Sequence, residues 1–86
     1  MYEVRLSREA HRFYQNADDA LAGRLNRCFD QLARNPRDHP NARRLKGPLT
    51  GYWRYRVGDW RVVYRVDDDE MVVTVMLIAH RSEAYR

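Results

Sequence analysis

Hydrophobic and polar positions repeat with two different periods along the chain. Tyr2 to Leu6 alternates, with Tyr2, Val4 and Leu6 on one side and Glu3 and Arg5 on the other, which predicts a short strand. Ser7 then offers a helix cap, and Ala10, Phe13, Tyr14 and Ala17 follow at helical spacing. The polar stretch Asn16 to Asp19 interrupts this helix and supplies new capping residues for a second one. There Leu21, Leu25, Cys28, Phe29 and Leu32 make a single apolar stripe, while Arg24, Asn26, Arg27, Asp30 and Gln31 lie elsewhere on the helix. Asn35-Pro36 ends it, because the residue before a proline is pushed out of the helical region.

Pro36 to Asn41, with two prolines and mixed charge, reads as a connecting loop. Beyond Gly47-Pro48 the period changes to two. GYWRYRVGDWRVVYRV, from Gly51 to Val66, alternates throughout, and Gly58-Asp59 sits between its halves as a tight hairpin turn. Asp67 to Glu70 makes a second turn, and MVVTVMLIA forms a last, largely buried strand. The predicted order is β-α-α-β-β-β. This is an α+β fold: an N-terminal strand, a helix hairpin and a three-stranded antiparallel meander, with both helices on one sheet face. At 86 residues the chain holds one domain, 1–86, with one modest core.

Strand parity turns this outline into a functional expectation, because neighbouring residues of a strand point to opposite faces. Trp53, Tyr55 and Val57 form the apolar set of the first hairpin strand, and Trp60, Val62, Tyr64 and Val66 that of the second. If these sets face the helices, Arg54, Arg56, Arg61 and Arg65 gather on the uncovered face, where like charges repel unless an anion binds. A solvated face that keeps the sheet soluble is the alternative, although mixed glutamate and lysine would serve that purpose better than four arginines. The aromatic residues Trp53, Tyr55, Trp60 and Tyr64 belong to the core parity. Tyr52 shares the arginine face.

Charge sharpens the picture. The net charge of +4 conceals a strongly basic segment: Arg43, Arg44, Lys46, Arg54, Arg56, Arg61 and Arg65 against the single acid Asp59 give +6, leaving −2 for the rest of the chain. Such a distribution fits a polyanionic partner, whether nucleic acid or an acidic protein. Lys46 is the only lysine. No apolar run is long enough to span a bilayer and the N-terminus carries no apolar signal core, which predicts a soluble, unexported, cytoplasmic protein. Cys28, the single cysteine, lies on the apolar helical stripe and is expected to pack. His11 and His39 are expected at the surface.

The whole chain resembles the RelE/ParE superfamily of toxins. The resemblance rests on the strand and helix hairpin, on NARRLKGPLTGYWRYRVGDWRVVYRV with its leucine-lysine-glycine segment, basic strand and arginine after a glycine-aspartate turn, and on the terminal IAHRSEAYR. The RelE branch implies a ribonuclease needing no metal or cofactor, acting in the ribosomal A site, where a ribose 2′-OH attacks the adjacent phosphate of the message. It also implies a cognate antitoxin, the messenger RNA and the ribosome as partners. By position, Arg54 and Arg56 match the basic strand, where RelE-type toxins often carry lysines, Arg61 matches the arginine after the turn, and Arg81 and Tyr85 match the basic and aromatic C-terminal positions. Arginine binds phosphate but is a poor proton acceptor near neutral pH. The expected catalytic set is therefore Arg61 and Arg81 on the phosphate, with His80 or Tyr85 handling a proton. Arg43, Arg44, Lys46, Arg54, Arg56 and Arg65 are expected to bind RNA. Two other readings stay open: a ParE-like poison of DNA gyrase that cuts no RNA, and a non-catalytic module binding nucleic acid or antitoxin. Arg54, Arg56, Arg61 and the Arg81/Tyr85 pair favour the nuclease.

Overall fold

A computed structural model of the chain describes residues 1–82. Strand β1 (Glu3–Leu6) leads into helices α1 (Arg8–Asn16) and α2 (Asp19–Arg34), followed by strand β2 (Ala42–Arg44), a 3-10 turn (Gly47–Leu49), and strands β3 (Trp53–Val57), β4 (Trp60–Asp67) and β5 (Val72–His80). The five strands form one sheet in the order β1-β5-β4-β3-β2. β2 through β5 pair antiparallel in sequence order, whereas β1 lies parallel to β5 at the far edge. No described helix is long and apolar enough to cross a membrane.

The expected helix caps are those used. Ser7 Oγ accepts from the Ala10 N–H, the Asp18 carboxylate accepts from the Leu21 N–H, and Asn35 closes α2 just before Pro36. Ala10 of α1 and Leu25, Cys28 and Leu32 of α2 pack on Tyr55, Val57, Val62, Tyr64, Val73, Val75 and Ile78, so both helices cover one sheet face. Burial pushes the Cys28 thiol up to about 12, which keeps it protonated within the core. The Tyr64 hydroxyl, on a fully buried side chain, donates to the Pro36 carbonyl at 2.5 Å and pins the loop after α2 to the sheet.

Two features extend the expected outline. The segment Ala42–Arg44 forms an additional edge strand on β3; three residues are too few to show a period, and their pairing depends on a neighbour in space rather than in sequence. A β-bulge interrupts β5: Val63 pairs with Leu77 but Tyr64 pairs with Val75, leaving Met76 without an opposite residue. The bulge is tied to the start of α1, because Ser7 Oγ donates to the Met76 carbonyl at 2.8 Å while the Ser7 N–H bonds the Val75 carbonyl.

The two tight turns each use one left-handed residue. Gly58, with φ 59°, occupies the first central position of the β3–β4 turn, where a type II′ hairpin takes glycine. Met71, with φ 56°, closes the acidic turn between β4 and β5, and its carbonyl accepts the Glu3 N–H that begins β1.

Candidate nucleic-acid interface

Cross-strand register determines which arginines share a face. Arg56 lies opposite Arg61, Arg61 opposite Ala79, Arg54 opposite Val63 and Arg43 opposite Arg54. Directly paired residues project to the same side. Arg43, Arg54, Arg56 and Arg61 therefore stand together on the face turned away from the helices. Among the described residues no carboxylate lies within ion-pair distance of Arg43, Arg56 or Arg61.

Arg61 is the most constrained of the four, retaining only 9% of its exposure. Its Nη1 donates to the Gly58 carbonyl at 3.3 Å and to the Trp60 carbonyl at 3.2 Å, so the hairpin turn holds the guanidinium without neutralising it. A cation sheltered from water and held, among the described residues, by carbonyl dipoles alone attracts a phosphate more strongly than a fully hydrated one. Arg54 is half-buried, and its Nη1 donates to the Asn41 carbonyl at 2.8 Å. The same carbonyl accepts the Arg56 N–H at 3.0 Å. Asn41 is in turn held by His39, whose Nδ1 accepts the Asn41 N–H while its ring lies 5.1 Å from Tyr55. His39, expected at the surface, is thus half-buried and structural; His11 is exposed.

The remaining expected site residues are spread out. Arg81 is exposed, and its backbone N–H bonds the Asp59 carbonyl at 2.8 Å, which brings it to the same hairpin turn that holds Arg61. Arg65 shares the open face but sits at its other end, opposite Thr74, which in turn pairs with Arg5 of β1. There Arg65 and Arg5 line an open groove of about 680 Å³ together with Asp67, Asp68, Asp69 and Glu70, so that four carboxylates outnumber two guanidinium groups. Arg44 projects to the helix side, opposite Trp53, and its guanidinium stacks 5.4 Å from that ring's centroid. Lys46 is exposed at the start of the 3-10 turn. Tyr85 lies outside the described residues.

His80 is directed away from Arg61. It pairs with Trp60, and the two rings meet edge to face at 5.4 Å on the helix side of the sheet. Phe13 completes this stack against Trp60. His80 Nδ1 lies 3.1 Å from the Ser82 Oγ and accepts the Ser82 N–H at 3.4 Å, which further holds the ring at the strand end. The bulge at Met76 produces this orientation: uninterrupted alternation from Val73 and Val75 would send His80 to the open face.

Sequence reasoning passed over Arg24 and Arg27 of α2. With Arg56, Asn41, Tyr55, Val57, Gly58 and Cys28 they line a cleft of about 230 Å³ between α2 and β3. Their spacing of three residues does place them on one side of the helix, but only the packing of α2 against β3 brings that side to the basic edge.

Residues 4–85 match the family described as ParE toxin of type II toxin-antitoxin system, parDE. Toxin RelE of Mycobacterium tuberculosis (strain ATCC 25618 / H37Rv) is 35% identical over 86 residues, spanning 99% of this chain and 87% of that protein. The archaeal RelE-RelB complex of Pyrococcus horikoshii OT3 contains a chain that superposes with a TM-score of 0.81 at 26% identity, covering 96% of this chain and 98% of its own length. In the toxin-antitoxin complex RelBE2 of Mycobacterium tuberculosis the corresponding values are 0.79, 28%, 93% and 98%.

Proposed function

The chain belongs to the ParE toxin family of type II toxin-antitoxin systems, and from that premise we propose that it is a RelE-type endoribonuclease that cleaves messenger RNA in the ribosomal A site. The observation that carries this reading is Arg61: a sheltered guanidinium held on two carbonyls, with Arg56 opposite it and Arg54 and Arg43 on the same face. In the reaction a ribose 2′-oxygen forms a bond to the adjacent phosphorus, the bond from phosphorus to the 5′-oxygen breaks, and the proton lost by the 2′-OH is balanced by one gained at the 5′-oxygen. The products are a 2′,3′-cyclic phosphate and a free 5′-hydroxyl. Arg61 and Arg81 stabilise the extra negative charge that collects on the phosphate oxygens, while Arg43, Arg54 and Arg56 hold the flanking backbone. Arginine is too weak a base to take the 2′ proton, so that role falls to another group. Tyr85 is the proton-handling residue that this arrangement favours, since the His80 ring is engaged with Trp60. The protein works in the cytoplasm, and a cognate antitoxin silences it, two similar structures being toxin-antitoxin complexes; complementary charge would seat an acidic segment on the arginine face.

The test is 5′-end mapping of messages after brief expression of the gene, with Arg61→Ala beside it and gyrase supercoiling assayed in parallel. Cuts within translated frames that disappear in the variant support the nuclease. The family takes its name from ParE, which favours gyrase poisoning as the second reading; intact messages with impaired supercoiling would establish it instead. His80→Gln is expected to retain single-turnover cleavage within about threefold of the parent, and a loss of a hundredfold or more would return His80 to the mechanism.

A further inference from the structure

The cleft between α2 and β3 has a composition that core packing does not call for. Arg24, Arg27 and Arg56 converge on it, no carboxylate lines it, and among the described residues none of the three has an ion-pair partner. Cys28, Tyr55 and Val57 also line it, while the three arginines are exposed and free to meet a ligand from solvent. The Arg24 guanidinium lies against Gly58, so close that a Cβ on that glycine would stand 2.1 Å from Nη2. Gly58 is also the residue whose carbonyl holds Arg61. One turn therefore joins the cleft to the open face, with Arg56 bordering both.

We infer that this cleft is a second phosphate-binding site, which takes the sugar-phosphate backbone of the RNA strand as it passes from the open face over the β3 edge onto α2. The inference rests on the RNA-directed reading of the open face and extends it to residues outside that face. A polypeptide adding as a strand is disfavoured here. β2 already covers Trp53 to Tyr55, and the next N–H, that of Arg56, is taken by Asn41. Recognition is left to guanidinium forks, whose geometry suits phosphate.

The experiment measures binding of the full chain to a short, single-stranded 2′-O-methyl RNA, which cannot be cleaved, by fluorescence anisotropy between about 50 and about 200 mM salt. Arg24→Gln/Arg27→Gln removes two phosphate contacts. The slope of log affinity against log salt should become shallower by about 1.4, so that affinity falls about sevenfold less than the parent's over that range. Arg8→Gln/Arg12→Gln on α1, which removes the same charge elsewhere, should leave the slope within about 0.3 of the parent. Equal slopes for parent and cleft variant would overturn the second site, as would equal changes in the two double variants. Absence of RNA binding by the parent, or arginine-dependent binding of a glutamate-rich peptide in place of RNA, would also overturn it. Cleavage mapped at message 5′ ends is a separate readout, so failure of the cleft leaves the nuclease reading standing or falling on its own result.

Discussion

The open face of the sheet has two ends built from similar parts with opposite consequences. Arg61 and Arg65 occupy the same strand and the same face, four residues apart, and each lies near a turn closed by a left-handed residue. At the Gly58–Asp59 end the turn offers carbonyls, and the guanidinium of Arg61 is sheltered yet not neutralised. At the other end the turn offers Asp67, Asp68, Asp69 and Glu70, and the exposed Arg65 shares its groove with them. The acidic groove is the larger concavity, at about 680 Å³ against about 230 Å³ for the cleft beside β3. Size thus selects the wrong end. A phosphate is drawn to guanidinium groups whose charge no carboxylate has cancelled, and repelled where carboxylates are in excess.

The sharpest way to break this comparison is to truncate the two arginines separately. Arg61→Ala is expected to lower single-turnover cleavage of a ribosome-bound message by roughly 100- to 1,000-fold, the range seen when one preorganised donor to a developing negative charge is lost. Arg65→Ala should change it by less than about threefold, because the four acidic residues that line its groove disfavour a phosphate there. Equal losses would show that the whole face acts as one surface and that the acidic turn does not divide it.

The turns allow a second, smaller contrast. Both need φ near +60°, but only one uses glycine. Gly58→Ala must place a Cβ in a left-handed residue and against the Arg24 guanidinium, and should cost about 1 to 2 kcal/mol in denaturant unfolding. Met71→Gly should instead gain up to about 1 kcal/mol, since the strain it relieves exceeds the chain entropy that glycine adds. A stabilising Gly58→Ala would mean that the hairpin turn relaxes readily, and the tight hold on Arg61 would then need another origin.

Much of the fold, and the arginine face itself, was visible in the pattern of the chain. The stripe Leu21, Leu25, Cys28, Phe29, Leu32 and the alternation through Gly51 to Val66 announce the helix pair and the hairpin, because burying one side of an element imposes its period on the chain. Parity placed Arg54, Arg56, Arg61 and Arg65 on one face, and the cross-strand register places them there too. Parity has no means of revealing that Arg65 has acidic company, since that depends on how a turn folds back over the sheet. It also counts residues without seeing bulges: Met76 shifts everything after it by one, and His80 joins Trp60. The strand Ala42–Arg44, the parallel pairing of β1 and the cleft beside Arg24 are all consequences of long-range packing, which leaves no local periodic trace.

The acidic end has a structural task for one of its carboxylates, and this yields the smallest effect expected. Asp68 receives both guanidinium nitrogens of Arg37, at 3.0 and 2.7 Å, and the Tyr2 hydroxyl at 2.7 Å, joining the loop after α2, the β4–β5 turn and the start of β1. The hydrogen bonds from Arg37, then that from Tyr2, hold its carboxyl below the usual carboxylate range. A carboxyl whose pKa is lower in the folded chain contributes stability above its unfolded pKa of about 3.9 and loses that contribution as pH falls through the folded value. Thermal unfolding of the parent and of Asp68→Asn should therefore differ near pH 6, in favour of the parent, and converge as the pH drops below about 4. The side chains are exposed, so added salt should narrow the difference at pH 6 as well. A gap that persisted unchanged at low pH would show that Asp68 acts through shape, and the charge of this end would then need a purpose other than holding three segments together. Cleavage should be unaffected by Asp68→Asn, because the clamp lies at the end of the face that the phosphate avoids.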